Sequence, residues 1–242
     1  MVSLIWKFNL LITIIIISLS ITSFFLPWYH INTHSSKGPN TKHPVHREYK
    51  FYFDKWEFYS NLTNDGNLIV ENYHSMQEVQ TTMFICFFFL LIGTLFTFTN
   101  AIFIIFGVNE KSKTNFFVNV TMIVLSVSAS VFYLISLCVN TRLIKDFRSS
   151  AHLENVCINK GDYIYQCKSF IGKISSHNYS HYSWSPDSGF GNIVVCLILG
   201  IVSFGLLILV TKRNSKKDWE EIKEDLRAQN NNNIQQIAEI LN

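Results

Sequence analysis

Eight histidines are the most chemically capable residues of this chain: His30, His34, His43, His46, His74, His152, His177 and His181. A neutral imidazole binds transition metals, and protonation near pH 6.5 makes it a sensor of acidification. His177 and His181 stand four apart, a spacing that could share a metal on a helix, but the intervening Asn178-Tyr179-Ser180 does not read as helical. No metal site is assigned, because long apolar stretches exclude His and crowd it into the segments between them. Cys157 and Cys167 flank the turn-forming run Asn159-Lys160-Gly161-Asp162. The segment reads as a short hairpin, which an oxidising compartment would join by a disulfide, a closure that contributes about 3 kcal/mol. With no CxxC spacing, zinc is not indicated. Cys86, Cys138 and Cys196 fall in apolar stretches and read as small fillers. Asn61-Leu62-Thr63 and Asn178-Tyr179-Ser180 are glycosylation acceptors at Asn61 and Asn178. A third such triplet, Asn119-Val120-Thr121, lies at the edge of an apolar stretch and is expected to be silent. GxSxG, HExxH and Gly-rich phosphate loops are missing, and Glu220 and Glu221 read as solvated. The expectation is a non-enzyme with no catalytic residue and no cofactor.

Four charge-free stretches must position whatever these residues do. Phe8 to Tyr29, Val79 to Asn109, Thr114 to Thr141 and Ser188 to Thr211 hold no Asp, Glu, Lys, Arg or His. Each reaches the roughly 20 residues a helix needs to cross a bilayer, where only helices and closed barrels satisfy every backbone N–H and C=O. The chain is 48% hydrophobic and 15% charged, against about a quarter charged in soluble domains. A net charge of +3 argues for no nucleic-acid partner. The first stretch is longer than a signal-peptide core and reads as an uncleaved span.

The predicted organisation is a first transmembrane helix within 1–29 (residues 4–28) and a strand-rich outer loop over 30–80. Helices two and three follow within 81–141 around a short turn at 109–114, then a second outer loop over 142–187. A fourth helix over 188–212 and a partly helical tail over 213–242 complete it. Lys212, Arg213, Lys216 and Lys217 form a basic cluster after the last span, and Lys111 and Lys113 lie in the short turn. Basic flanks favour the cytoplasm, so both termini are expected inside and both long loops outside. Arg142, Lys145 and Arg148 run against this, but long loops follow the rule poorly. In the tail, Ser215 is a candidate cap for a helix over Lys216 to Gln229 that Asn230 to Asn233 then break. Trp219, Ile222 and Leu226 give it a narrow apolar stripe, suited to the inner leaflet or a partner helix.

In the first loop, Glu48 to Tyr59 alternates with aromatics as a strand does, with Tyr52 interrupting. Asp65-Gly66 before Leu68-Ile69-Val70 is a hairpin signal. A small antiparallel sheet is expected, completed by the second loop because two strands alone are marginal. Trp28, Tyr29 and Trp184, at the ends of spans, read as membrane-interface anchors. The fold class is therefore an all-α membrane protein: a four-transmembrane-helix bundle with a small extracellular antiparallel β-sheet from two outer loops.

Gly93 with Thr97, Ser126 with Ser130, and Gly200 with Gly205 offer small-residue spacings for close helix contact. Thr94, Thr97, Thr99 and Asn100 make the most polar patch of the second span. Charge-free spans speak against pumps and proton-coupled transport. Two function classes follow. One is a surface protein acting in adhesion, lateral assembly or as an auxiliary subunit of another membrane protein. The other is a small oligomeric channel or transporter with Thr94, Thr97, Asn100 and Ser126 along a shared path. Convergence of these four on a water-accessible channel favours transport, whereas bonding across dry interfaces favours the scaffold. Expected partners are the lipid bilayer and other membrane proteins or further copies of the chain, in a plasma or endosomal membrane.

With its four spans, inside termini and strand-rich first loop, the chain resembles the claudin and calcium-channel gamma-subunit superfamily. Trp28 after span one and Trp56 in the strand-like run are similar to that family's loop aromatics. The likeness covers the whole chain in topology and rests on no diagnostic motif. The family's first-loop Cys pair is missing, and the only loop pair, Cys157 and Cys167, lies in the second loop. Tetraspanins match less well, since the first loop here is long and the second has no CCG motif.

Overall fold

The computed structural model describes residues 2–35, 45–60, 67–72, 76–109, 116–149, 169–175 and 180–241. In chain order its elements are α1 (Val2–Ser23), β1 (Tyr29–Ser35), β2 (Val45–Phe51), β3 (Lys55–Ser60), β4 (Asn67–Asn72), α2 (Gln77–Asn109), α3 (Phe116–Asn140), α4 (Leu143–Ser149), β5 (Gly172–Ser175), β6 (Ser180–Pro186) and α5 (Ser188–Leu241).

Four helical segments are long and apolar enough to cross a membrane: Leu4–Ser23, Gln77–Phe106, Val118–Phe147 and Ser188–Lys212. Only 33% of an 18-residue apolar stretch within each is buried inside the protein. The remainder exposes Leu4, Phe8, Phe84, Phe88, Leu95, Phe98, Ile198 and Ile201 among others, far more apolar surface than a water-soluble monomer tolerates. The helices form a ring in which α1 packs on α2 and α5, and α3 packs on the same two. Small residues set the close approaches, as the spacing predicts. A Cβ on Gly200 would lie 2.6 Å from Ser130 Oγ, and one on Gly93 would lie 2.8 Å from Tyr133 Cε1. Gly205 departs from expectation: nothing lies within 4 Å of the place its Cβ would take.

The sheet at one end of the bundle is antiparallel and six-stranded, ordered β4-β3-β2-β1-β6-β5. Both long connections contribute, as expected, but the strands differ from those predicted. Glu48 to Tyr59 is not one strand: it folds back at Tyr52, whose N–H donates to Lys55 O at 2.9 Å, with Phe51 paired to Trp56. The residue that interrupts the alternation is the one that turns the chain. Tyr29–Ser35 is a central strand, pairing with β2 on one side and β6 on the other over seven positions each. Tyr29, Ile31 and Thr33 are strand formers at alternate positions, and the interleaved His30, Asn32 and His34 are what mask the pattern. The predicted Cys157–Cys167 hairpin lies outside the described residues, as do Asn61 and Asn178. Among its described residues the second connection contributes β5 and β6, paired through Gly172–Trp184 to Ser175–His181.

Two further departures concern helices. A short α4 follows α3 after a break at 141–142 and packs on α2, burying Leu143, Asp146 and Phe147. The basic residues that ran against the orientation rule belong to this segment. Arg142 Nε approaches Asp146 Oδ1 at 3.6 Å. The fourth span ends at Lys212 as expected, but its helix does not. It runs on through Ser215 and Asn230 to Asn233 for 54 residues, about 80 Å at 1.5 Å per residue. Nothing after Gly205 is Gly or Pro, and Ser and Asn cost a helix interior well under 1 kcal/mol each. The separate surface-lying helix expected from Ser215 is replaced by an extension of the span. Lys212 is exposed on it, and Arg213, Lys216 and Lys217 lie along the same helix.

Candidate functional site: a sheet platform seated on a closed bundle

One hydrophobic core runs from the sheet into the bundle, joining Ile31, Phe51, Phe53 and Trp56 to Ile16, Met83, Leu90, Tyr133 and Ile193. A smaller cluster of Trp6, Ile104, Met122, Leu207 and Val210 closes the other end. The junction is built on Trp28, which is 0% exposed. Its ring lies 4.6 Å from Phe53 and 6.5 Å from Phe190. Its indole N–H donates to Ser23 O at 2.8 Å, satisfying a carbonyl at the end of α1. Its backbone N–H donates to Phe51 O, and its own carbonyl accepts from Asp187 N. A single residue thus ties α1, β2 and the entry to α5 together. Phe53, at the tip of the β2–β3 turn, inserts beside Phe24 and Phe87. Tyr29 is 1% exposed and packs on Phe51, Phe147 and Phe170, donating its hydroxyl to Phe170 O at 2.9 Å. Burial pushes its phenol pKa up. Trp184 is 4% exposed and donates to Ser169 O. The anchor role expected of Trp28, Tyr29 and Trp184 is therefore corrected. An interfacial anchor needs its ring among headgroups, and these rings are enclosed by protein.

Within the bundle, hydroxyls cross-link the helices. Tyr133 Oη on α3 accepts from Ser20 Oγ of α1 at 2.9 Å and meets Thr97 Oγ1 of α2 at 2.9 Å. Ser203 of α5 donates to Asn9 Oδ1 of α1 at 2.7 Å. Cys86 and Ser136 exchange bonds with each other's backbone carbonyls across α2 and α3. Cys196 contacts Ser20 Oγ and Ile16 O across α5 and α1. These two buried thiols take part in helix contacts beyond filling space, whereas Cys138 is exposed. Of the four residues expected along a path, Thr94 donates to Leu90 O within its own turn. Thr97, Asn100 and Ser126 do converge, with Ser130 and Gly200, on one cavity of about 10 Å³. That volume is at the lower limit for a single water, too small for a path. Asn100 Oδ1 is buried with no hydrogen-bond partner among the described residues.

Outside the bundle, one sheet face is polar. Lys50, His30 and Ser185 form one row across β2, β1 and β6, and Glu48, Asn32 and Ser183 form the next. Lys50 pairs with Glu48 at 3.4 Å and Lys55 with Glu57 at 2.7 Å. Burial pushes Glu57 up, but hydrogen bonds from Lys55 and Tyr52 outweigh it and hold the carboxyl below its ordinary value. Tyr52 is pushed up to about 12 by burial and by its bond to Glu57.

His30 also has the partners that sequence reasoning missed. Its Nε2 lies 3.1 Å from Ser185 Oγ and its Nδ1 lies 3.3 Å from Asp187 Oδ2. The order Ser–His–Asp is that of a nucleophilic triad, in which nucleophile, base and orienter share hydrogen bonds and a free pair of donors holds the oxyanion. Here Nδ1 approaches the carboxylate without an aligned hydrogen bond. Ser185 and His30 face each other inside an antiparallel ladder, where neighbouring N–H groups are committed to strand pairing. The trio works as a strap. Asp187 precedes α5, accepting from Ser188 N with its side chain and from Gly191 N with its carbonyl. Burial raises its pKa, and the His30 and Ser188 contacts more than offset that rise. No group of three His, Cys, Asp or Glu side chains converges among the described residues. No family model matches the chain, and no curated protein matches it.

Proposed function

We propose that the chain is a non-enzymatic multi-pass membrane protein whose sheet is a rigid docking platform, acting in adhesion, lateral assembly or as an auxiliary subunit of another membrane protein. The observation that carries this reading is the contrast between interior and sheet. The polar span residues bond across helix interfaces around a cavity of about 10 Å³, which supports a closed bundle over a conducting one. The sheet, by contrast, is fastened to the bundle through Trp28 and ends at two strands, β4 and β5, each paired on one side only among the described residues. A one-sided strand can accept a further strand from a partner. On this reading the platform faces outward, with the termini, the basic cluster and α5's extension in the cytoplasm. Cys157 and Cys167 join in a disulfide and Asn61 and Asn178 carry glycans, at the plasma or endosomal membrane. The four helices and the sheet built from both long connections support the claudin-like resemblance.

Crosslinking of the intact protein on native membranes, followed by mass spectrometry of what co-purifies, tests the role. A discrete membrane-protein partner joined through β4 or β5 is the expected result. Self-crosslinked oligomers alone, together with conductance in reconstituted bilayers, would overturn it in favour of a homomeric pore.

A further inference from the structure

At the end of the bundle away from the sheet, α1 and α5 border an open groove of about 430 Å³ lined by Leu4, Ile5, Lys7, Phe8, Leu11 and Leu206. Leu4, Lys7, Phe8 and Leu11 stand three and four apart, so they share one stripe of α1, and Leu206 adds the wall from α5. Leu4, Phe8 and Leu11 are each exposed by half or more, and Lys7 is exposed in their midst. Lys7 is the sole charged residue of α1, and α5 holds no Asp or Glu before Asp218. Among the described residues no carboxylate pairs with it. Ser203 donates to Asn9, and Trp6 packs with Leu207 and Val210, so α5 runs antiparallel to α1 here. It therefore carries Lys212 and Arg213 past the Lys7 end of the groove. Arg213 follows Leu206 by seven residues, two turns or about 10 Å along the helix.

We propose that this groove binds an anionic glycerophospholipid, with an acyl chain along Leu4, Phe8, Leu11 and Leu206 and the phosphate held by Lys7. The dimensions suit a lipid of one leaflet. Leu4 to Leu11 covers about 10 Å at 1.5 Å per residue, within the roughly 15 Å that half of a 30 Å hydrocarbon core supplies. Lys7 lies three residues inside the span that starts at Leu4, about 4.5 Å deep. Its ammonium reaches the headgroup level from there while its methylenes stay on the groove wall. The charge calls for an anion. An ionised side chain in a span is costly unless paired, and a phosphate supplies the charge that neither helix holds. A second copy of the chain fits less well. Its four charge-free stretches hold no carboxylate, so a span docked here would cover Lys7 with apolar side chains alone. A zwitterionic lipid fills the groove but brings its own cation beside the phosphate, and so gains less from Lys7 and the basic residues that follow on α5. On the orientation proposed above, the groove opens to the cytoplasmic leaflet, where anionic lipids concentrate and basic pockets between helices hold their headgroups. The site is independent of the role proposed for the sheet.

The test uses the full chain in detergent micelles, mixed with equal amounts of phosphatidylglycerol and phosphatidylcholine of the same acyl chains and read by native mass spectrometry. Preferential retention of one phosphatidylglycerol per chain is expected. Lys7→Gln should lower the preference about fivefold, the worth of one basic residue beside an anionic surface. Lys50→Gln, on the sheet, should leave it unchanged. Leu11→Trp, which fills the groove, should reduce retention of both lipids. A second measurement needs no variant. In nanodiscs, a phosphatidylglycerol with a photoreactive diazirine on its acyl chain should label the peptides holding Leu4 to Leu11 and Leu206 above all other lipid-facing segments. Equal retention of the two lipids, a preference that survives Lys7→Gln, or labelling spread evenly over α1, α2, α3 and α5 would each overturn the proposal.

Discussion

Replacing Trp28 separates a buried keystone from a membrane-surface anchor. The side chain is 0% exposed, its ring lies 4.6 Å from Phe53, and its indole N–H donates to Ser23 O at 2.8 Å. Truncation to Ala removes a fully buried aromatic, which costs about 3–5 kcal/mol in a core that collapses only partly. Trp28→Phe keeps a ring but strands the Ser23 carbonyl, for which the expected cost is about 1–3 kcal/mol. An interfacial anchor would behave differently, because Phe in place of Trp at a lipid-facing site stays within about 0.5 kcal/mol. The assay is reversible unfolding in mixed micelles, paired with hydrogen exchange resolved by segment. Trp28 holds Phe51 O through its N–H and Asp187 N through its carbonyl. Exchange should therefore accelerate in β1, β2 and the start of α5 while α3 stays protected. A Trp28→Ala protein as stable as the wild type within about 0.5 kcal/mol, with unchanged exchange in β1, would refute the keystone argument.

Gly93→Ala places a Cβ 2.8 Å from Tyr133 Cε1 and 3.3 Å from Ala129 O, and overpacking of that kind should cost about 1–3 kcal/mol in the same unfolding assay. Tyr133→Phe removes the hydroxyl shared by Ser20 and Thr97, a loss of about 0.6–1.7 kcal/mol by the measure of interhelical membrane bonds. Because the Tyr133 ring lies against Gly93, the double variant should deviate from additivity. Glu57 titrates below its ordinary value in the folded state, so it stabilises the β2–β3 hairpin above its unfolded pKa, and that contribution disappears as pH falls through the folded one. Hydrogen exchange in β3 should rise in acid in the wild type and lose that acid dependence in Glu57→Gln; an identical profile in both would refute the assignment. Mass mapping without reductant should recover Cys157 and Cys167 as one linked peptide pair, and free thiols on both would end the disulfide proposal.

How much was legible varies with the range of the interaction. The spans could be read because bilayer length and the exclusion of charge are local properties, visible in Val79 to Asn109 without any neighbour. The Asp65-Gly66 signal pointed to two pairing runs, and Lys55–Ser60 and Asn67–Asn72 do pair. The tail helix was legible but its boundary was not, because Ser215 is a cap only if the preceding helix ends, and α5 does not end there. The anchor reading of Trp28 failed for a similar reason. A Trp at the end of a span looks the same in sequence whether lipid or a β-hairpin tip covers it, and Phe53 is what covers it.

By itself the sequence determined the class of solvent and the number of crossings, since a run of uncharged residues must satisfy its own backbone in hydrocarbon wherever its partners lie. It also determined that both long connections hold strand-forming material, and that no reactive motif is contiguous. Only the tertiary structure decided which strands are neighbours. The order β4-β3-β2-β1-β6-β5 brings residues more than a hundred positions apart into one ladder. That order makes His30 a strap to Asp187, puts His34 between His46 and His181, and encloses Trp28 and Tyr29. It also brought Ser20, Thr97 and Tyr133, and Ser203 and Asn9, into contact across helices. Periodicity reports which face of an element is apolar. It carries nothing about which other element will cover that face, because pairing between distant strands and packing between helices depend on contacts that close only when the whole chain has folded.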